Sequence, residues 1–278
     1  MKGVYGSPMT SVRRAATQAL LPETPYAFES GGLPGKISGL QFDQIKQAHK
    51  KYYRPQNSYI YLYGNIDYAK VLKEIDQDYL SNFNKDPNFK SPTIKKQTNF
   101  NYSKKPFTGI FPGQTGPNKD YVGKGFVLGS QLSPLEEDVA HFLLTALVAK
   151  NNSPIRLRAA KEKLANSTTY LHSGQDNAMT ILFEGSSSRN LSKIEKVLNG
   201  ELKKIVEQGI DLELLTSILN SYEFSNKESK ANAAHRGLQY NWTVLGNWIN
   251  KDQDLADALD FSSQFKSCLL YTSDAADE

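Results

Sequence analysis

The sequence of 278 residues contains little cysteine and no long hydrophobic run. Its single cysteine, Cys268, has no second cysteine to pair with, so the sequence supports neither an intrachain disulfide nor a zinc site built on several cysteines. The longest apolar stretch, residues 142–149, is far shorter than the roughly 20 residues that cross a bilayer. We therefore expect no membrane-spanning segment and no membrane partner.

The charge pattern gives little support to nucleic-acid binding. The net charge is +4, from 33 Lys+Arg and 29 Asp+Glu. The lysines are scattered among acidic residues and tyrosines and do not form the basic stripe that nucleic-acid-binding domains carry. The densest cluster lies on a predicted helix with an apolar face, so we interpret it as a solvated helix face: Lys46, Lys50, Lys51 and Arg54.

Short catalytic motifs are also missing. The four histidines, His49, His141, His172 and His235, are far apart, and none forms an H-x-x-E-H or H-E-x-x-H pair. No G-x-S-x-G elbow is present, and the glycine-rich loop at residues 30–35 lacks the Gly-Lys-Ser/Thr ending of a phosphate loop. We expect His49 and His141 to be ordinary helix residues, whereas His172, on a predicted strand, is the candidate for a role at a peptide-binding edge.

Hydrophobic periodicity and helix caps predict two groups of elements on either side of a proline-rich linker at residues 86–118. The first group has a helix at 41–53, a strand at 58–63 and a helix from 68 to about 83, capped by Asp67. The second group has strands at 124–128, 168–173 and 178–184, and helices at 134–150, 154–164, 191–208 and 212–229. This order predicts an α+β fold, with antiparallel or mixed sheets and helices packed on one face.

A collinear set of unlike residues carries a resemblance to a known family. It includes Met1-Lys2-Gly3, Ser30-Gly31-Gly32 and His49-Lys50-Lys51-Tyr52-Tyr53-Arg54-Pro55, with thinner anchors at Asn152-Ser153-Pro154-Ile155 and Tyr222-Glu223-Phe224-Ser225. In order and spacing the chain resembles the presequence protease-like branch of the insulinase-type zinc metallopeptidases. The resemblance covers roughly residues 1 to 265 and is strongest in the first third.

The resemblance implies a zinc-dependent endopeptidase that degrades unfolded peptides in an enclosed chamber. In this family two histidines of an inverted H-x-x-E-H motif and a more distal glutamate hold the zinc, and that glutamate directly precedes a Met-Lys-Gly run. The expected zinc ligands therefore lie upstream of Met1, and the 278-residue chain is expected to bind no zinc, to contain no catalytic residue and to be inactive alone. The alternative is a non-catalytic structural or substrate-presenting subunit, because relatives of the fold have lost zinc.

The resemblance also implies a division of the chain. Residues 1–85 are expected to be the C-terminal part of the first peptidase-like domain, and residues 119–267 the N-terminal part of the second. Residues 268–278 resemble the translation of a sequencing adapter, so we expect a non-native tail. The expected partners are unfolded peptides and the missing remainder of the polypeptide, in the bacterial cytoplasm or in an organelle matrix.

Two segments are the candidates for peptide binding. Ser30, Gly31 and Gly32 form a loop that the resemblance places near the active cleft. Asn152 and Ser153 start a helix whose free backbone N–H groups are able to hold an acidic group or terminus of a peptide. The competing interpretations are a flexible turn for the first segment and a plain helix cap for the second.

Overall fold

The computed structural model of the protein describes residues 6–99, 107–109, 119–127, 132–173, 178–231, 236–250, 254 and 263–268. Its first part, up to residue 99, is helical and irregular. It contains α1 (Pro8–Leu20), α2 (Pro34–Ile37), α3 (Phe42–Tyr52) and α4 (Tyr68–Glu74), which continues as a π-helical turn (Ile75–Tyr79) and a 3-10 turn (Leu80–Asn82). The Asp67 carboxylate accepts the Lys70 N–H at 3.0 Å and caps α4, as the sequence predicts.

The second part alternates strands and helices. The strands are β1 (Asp120–Val127), β2 (Ser167–Ser173) and β3 (Ala178–Ser186). The helices are α5 (Pro134–Ala149), α6 (Pro154–Lys161), α7 (Leu191–Gln208), α8 (Leu212–Ala231) and α9 (Arg236–Tyr240), followed by a π-helical segment (Asn241–Asn250). Among the helices that the structure describes, none is long and apolar enough to cross a bilayer.

Local caps explain where these helices begin and end. The Ser133 hydroxyl accepts the Glu136 N–H at 3.3 Å, and the Glu136 carboxylate accepts the Ser133 N–H at 2.7 Å, which closes the predicted capping box of α5. Gly209 ends α7 with a φ of 75°, a conformation that glycine adopts without strain. Asp211 then accepts the Leu214 N–H at 2.9 Å and starts α8.

The three strands form one antiparallel sheet in the order β1-β3-β2. Because successive side chains of a strand alternate between faces, β3 directs Ile181 and Phe183 to one face and Thr180 and Leu182 to the other. The face with Phe183 packs on α6, α7 and the end of α5 in a cluster of buried residues: Val122, Val148, Ile155, Ala159, Leu164, Ala165, Ile181, Phe183, Ile194, Val197 and Leu198.

The opposite face of the sheet is covered by α1. Val12 packs with Leu171 and Leu182, and Leu20 lies over β1. A Cβ atom at Gly125 would lie 2.5 Å from a Leu20 methyl group, so glycine at this position allows the close approach of α1 to β1. A helix from the beginning of the chain thus completes the core around the second-part sheet.

A further apolar cluster joins α5 to α8. Val139, Leu143 and Leu147 of α5 are buried against Leu215 and Ile218 of α8. Phe265, in the helical segment 263–268, packs into the same cluster. The two helices therefore form a second layer beside the sheet.

The predicted α+β fold is confirmed, and the predicted caps and helix positions in the second part agree with the structure. The predicted strand at residues 58–63 is wrong, since these residues belong to no ladder in the described part of the chain. The ring planes of Tyr61 and Tyr63 are inclined by 6°, and their centroids lie 6.5 Å apart. Two residues of an extended chain rise by about 6.6 Å, so the ring spacing is that of an extended segment. The local chain is extended there, but a strand also needs a hydrogen-bonded neighbour.

The start of the predicted linker is held by specific contacts. The Gln56 amide donates to the Asp86 carbonyl at 2.8 Å and accepts the Asp86 N–H at 3.0 Å. The Glu23 carboxylate accepts from Thr98 and Asn99. The domain boundaries stay a prediction, because much of the predicted linker lies outside the described residues.

Candidate functional site

Two histidines, a tyrosine and a methionine lie close together where α5 crosses β2. The register places His172 opposite Met179 and Tyr170 opposite Ile181, so Tyr170, His172 and Met179 share the face that α5 covers. His141 extends from α5 onto the same face, where its ring centroid lies 3.9 Å from that of His172. The fold thus joins two histidines that are far apart in the sequence.

Tyr170 connects this group through hydrogen bonds. Its hydroxyl donates to the Met179 sulfur at 3.6 Å and also bonds His141 Nδ1. The tautomer of His141 sets whether His141 Nδ1 or Tyr170 Oη is the donor in this bond. Burial raises the pKa of Tyr170 far above its ordinary value, which keeps the phenol protonated at neutral pH.

The remaining histidines do not join this group. His49 is exposed on α3 and stacks on Tyr53 at 5.0 Å, in line with its expected role as an ordinary helix residue. His235 lies outside the described residues. His172 is exposed on β2, which forms one edge of the sheet, and its proposed role at a peptide-binding edge stays a prediction.

The two segments predicted to bind peptide have different surroundings. Ser30 and Gly31 are exposed and Gly32 is half-buried, in a turn in which the Gly32 N–H donates to the Glu29 carbonyl at 3.0 Å. Ser153 is 0% exposed, and its hydroxyl donates to the Val148 carbonyl at 2.8 Å and accepts the Arg156 N–H at 3.2 Å.

The Ser153 side chain therefore acts as the cap of α6, while its neighbour Asn152 is exposed. A role of Ser30, Gly31, Gly32, Asn152 and Ser153 in peptide binding stays a prediction.

A polar groove that sequence reasoning did not identify lies beside Lys150, two residues before Asn152 in the sequence. It has a volume of about 630 Å³ and is open to solvent. The residues that line it come from one face of α8 and the end of α5: Lys150, Ser217, Asn220, Ser221, Phe224 and Ser225. The only signal in the sequence was the Tyr222 to Ser225 run that supports the family resemblance.

The described residues do not fit the zinc site of a peptidase. A catalytic zinc needs three protein ligands and an open position. Within the described ranges, no group of three or more His, Cys, Asp or Glu side chains is arranged to hold a metal ion. No hydrolytic step is therefore assigned to these residues.

The architecture is similar to that of solved peptidase-related structures. A protease from Helicobacter pylori matches with a TM-score of 0.68 and 18% identity, over 97% of this chain and 64% of that chain. At this identity the similarity shows the fold alone. The chain thus has an α+β fold that it shares with this protease.

Sequence comparison identifies the family. The chain is 35% identical to protein HypA of Clostridium perfringens over 90% of its length, and 30% identical to presequence protease 1, chloroplastic/mitochondrial, of Arabidopsis thaliana over 96%. It spans only 26% and 25% of these two relatives. The family of the peptidase M16 inactive domain matches residues 39–222. The chain belongs to this M16 family, and the expected resemblance to presequence proteases is confirmed.

Proposed function

We propose that the chain is part of a zinc-dependent endopeptidase that degrades unfolded peptides in an enclosed chamber. The observation that carries this proposal is the family match over residues 39–222, together with the similarity to a presequence protease over nearly the whole chain. Because the chain spans about a quarter of its relatives, the activity is proposed for a longer protein.

In this proposal the zinc is held outside the 278 residues. The chain alone is then inactive and binds no catalytic zinc, and its partners are unfolded peptides and the rest of the polypeptide. The location is the cytoplasm for a bacterial protein or an organelle matrix for a eukaryotic one.

We also propose that residues 1–85 and 119–267 belong to two successive peptidase-like domains. The extended residues 59–63 support this division. Tyr59 contacts Trp248 and Tyr63 stacks on Tyr240 at 6.4 Å, so helical segments back one side of the extended chain, as in a sheet covered by helices. Strands that pair with residues 59–63 would complete such a domain.

The exposed start of α6 is the proposed peptide contact. Asn152 lies two residues from Lys150, which lines the polar groove, and a helix start attracts negative charge. An acidic group or the terminus of a peptide fits a helix start that follows a lysine at the groove. In the longer protein, Asn152→Ala is expected to raise KM with little change in kcat, because the residue is proposed to bind substrate away from the reacting bond.

A non-catalytic function is the second candidate. The matched family is described as the peptidase M16 inactive domain, which favours a structural or substrate-presenting subunit. Both candidates use the same fold, and fold alone does not determine function.

The test that separates the two candidates is the coding sequence upstream of Met1. An H-x-x-E-H motif, followed downstream by a glutamate directly before Met1, supports the peptidase. Its product should cleave a fluorogenic unfolded peptide in a chelator-sensitive reaction, while the 278-residue chain should not. Substituted ligands at those positions support the non-catalytic subunit, and cleavage by the 278-residue chain itself would contradict the proposal.

A further inference from the structure

We propose that the polar groove between Lys150 and α8 binds a short extended peptide, with a peptide carboxylate on Lys150 and an apolar peptide side chain on Phe224. This inference deepens the proposed peptide contact at the start of α6 and rests on the proposal that the protein binds unfolded peptides. It adds one face of α8 to the surface that receives the peptide, and it names the two groups of the peptide that this surface recognises.

The Lys150 ammonium is available to a ligand. The residue is exposed, and in the part of the chain that the structure describes its side chain makes no hydrogen bond or ion pair. Basic side chains near the end of a helix commonly bind its last carbonyls, but those of α5 have other donors. The Arg156 guanidinium donates to the Ala149 carbonyl at 3.2 Å. The Ser153 hydroxyl donates to the Val148 carbonyl at 2.8 Å. The charge of Lys150 is therefore free to bind a carboxylate.

The polar side chains of α8 suit the backbone of a peptide. Ser217, Asn220 and Ser221 lie on one face, since residues three and four apart are neighbours on a helix. All three are exposed, and among the described residues their side chains have no hydrogen-bond partner. Hydroxyl and amide groups both donate and accept, so they can bind peptide N–H and C=O groups. From Ser217 to Ser225 the face runs about 12 Å, enough for about three or four extended residues.

Phe224 gives the groove an apolar wall. The Tyr222 ring, two residues earlier, packs against Phe142 and Phe265 in the cluster between α5 and α8. Phe224 instead is 69% exposed and lines the groove. An aromatic ring beside hydrogen-bonding groups binds an apolar side chain, while the polar groups fix the orientation of the ligand. The groove therefore favours a peptide that carries an apolar residue near its carboxylate.

The charge of the groove selects the sign of the ligand. Of the described residues that line it, one is basic and none is acidic. Glu223, next to Phe224 in the sequence, forms an ion pair with Lys266. A nucleic-acid chain would need several basic residues to neutralise its phosphates, whereas one ammonium suits one carboxylate.

The test measures peptide binding to the 278-residue chain by fluorescence anisotropy. The probe is the tetrapeptide Gly-Gly-Leu-Phe with an uncharged fluorophore on its amino group, prepared with a free C-terminal carboxylate or with a C-terminal amide. At low salt the free acid should bind about 2–5-fold more tightly than the amide, as expected for one exposed ion pair. The preference should disappear at high salt, because ions screen an exposed pair.

A third probe, the amide of Gly-Asp-Leu-Phe, identifies the source of the carboxylate. Tighter binding of this probe than of the Gly-Gly-Leu-Phe amide would support recognition of acidic side chains as well as of the terminus. Equal binding of the two amides would support recognition of the terminus alone.

Two variants test the assigned residues against matched controls. Lys150→Gln should abolish the preference for the free acid, whereas Lys196→Gln removes the same charge from an exposed position of α7 and should preserve it. Phe224→Ala should weaken the binding of both probes roughly 3–10-fold, since an apolar contact does not depend on the terminus. Phe42→Ala, at an exposed position of α3, should leave binding unchanged. Near-UV circular dichroism checks that each variant is folded.

Three results would overturn the proposal and leave the groove as a solvated helix face. They are equal binding of the acid and the amide at low salt, an unchanged preference in folded Lys150→Gln, and unchanged binding in folded Phe224→Ala. Failure of the proposed function gives a different result. If the longer protein cleaves no peptide while the 278-residue chain still prefers the free acid, peptide recognition stands and the non-catalytic function is favoured. If the longer protein cleaves peptides and the chain shows no preference, only the groove assignment fails.

Discussion

Residues 28–96 differ from the segments around the sheet in how they use apolar side chains. All of residues 28–96 are described, and none is buried, although the stretch contains amphipathic helices. Phe42 of α3 is 76% exposed, whereas Phe183 of β3 is 0% exposed. The difference shows that an amphipathic pattern is sufficient for a helix but does not by itself produce a core.

The cause of the difference is the presence of a paired sheet. In the second part, β3 is hydrogen-bonded on both sides and presents two apolar faces to α1 and α7. In the first part, residues 59–63 are extended but have no neighbouring strand among the described residues. A single extended segment offers too little apolar surface to bury α3 and α4.

The largest expected effect comes from truncating the core. Phe183→Ala should lower the free energy of unfolding of the 278-residue chain by about 3–5 kcal/mol, because it removes a fully buried ring and leaves a cavity. Phe42→Ala, the matched control in the first part, should change it by no more than about 0.5 kcal/mol. Urea unfolding followed by circular dichroism measures the stability of both variants. Equal losses of stability would show that Phe42 is packed as tightly as Phe183.

The contact between α1 and the sheet is the next test. Gly125→Ala should destabilise the chain by about 1–3 kcal/mol, because the new Cβ would lie 2.5 Å from a Leu20 methyl group. Gly200→Ala in α7 meets no atom within 4 Å and should stabilise the chain by about 0.5–1 kcal/mol. If Gly125→Ala is neutral, α1 does not cover the sheet in solution.

The loss of a helix cap should also have different effects in the two parts of the chain. Ser133→Ala removes one half of the capping box of α5 and should cost about 1 kcal/mol of global stability, because α5 belongs to the packed core. Asp67→Ala removes the cap of the exposed helix α4. It should speed amide hydrogen exchange at the start of α4 and leave the global unfolding midpoint unchanged. A shift of that midpoint would show that α4 unfolds with the core.

The smallest expected effect concerns Glu23. Its carboxylate accepts the Thr98 N–H at 3.2 Å, the Thr98 hydroxyl at 2.9 Å and the Asn99 N–H at 3.3 Å. These bonds, the Thr98 backbone bond first, lower the pKa of Glu23 below its ordinary value. The contribution to stability is therefore complete above that ordinary pKa and is lost as pH falls through the lowered value.

Hydrogen-exchange protection of the Thr98 and Asn99 amides measures this effect. Protection should decrease as the pH falls through the lowered pKa of Glu23, after correction for the intrinsic exchange rates. In Glu23→Gln that dependence should disappear. Persistence of the same pH dependence in the variant would assign it to another group.

Local sequence determined much of the fold. The boundaries of α7 follow from its apolar spacing and from Gly209, and α5 follows from the Ser133 to Glu136 capping box. These signals act through hydrogen bonds and contacts within a few residues. They are therefore readable without knowledge of the rest of the chain.

The sites were less accessible to prediction from sequence. The family resemblance identified a peptidase fold, and the helix start at Ser153 was found as a cap. The proximity of His141 and His172 was not predicted, because it depends on how α5 crosses β2. The polar groove between Lys150 and α8 depends on the packing of two helices in the same way.

The sequence by itself determined the α+β class, the helix caps and the strand alternation, since each depends on residues that are neighbours in the chain. Only the tertiary structure decided that α1 covers the sheet, that residues 59–63 have no described partner strand, and that two distant histidines meet. The physical reason is that strand pairing and packing require a second surface, which a local pattern does not specify.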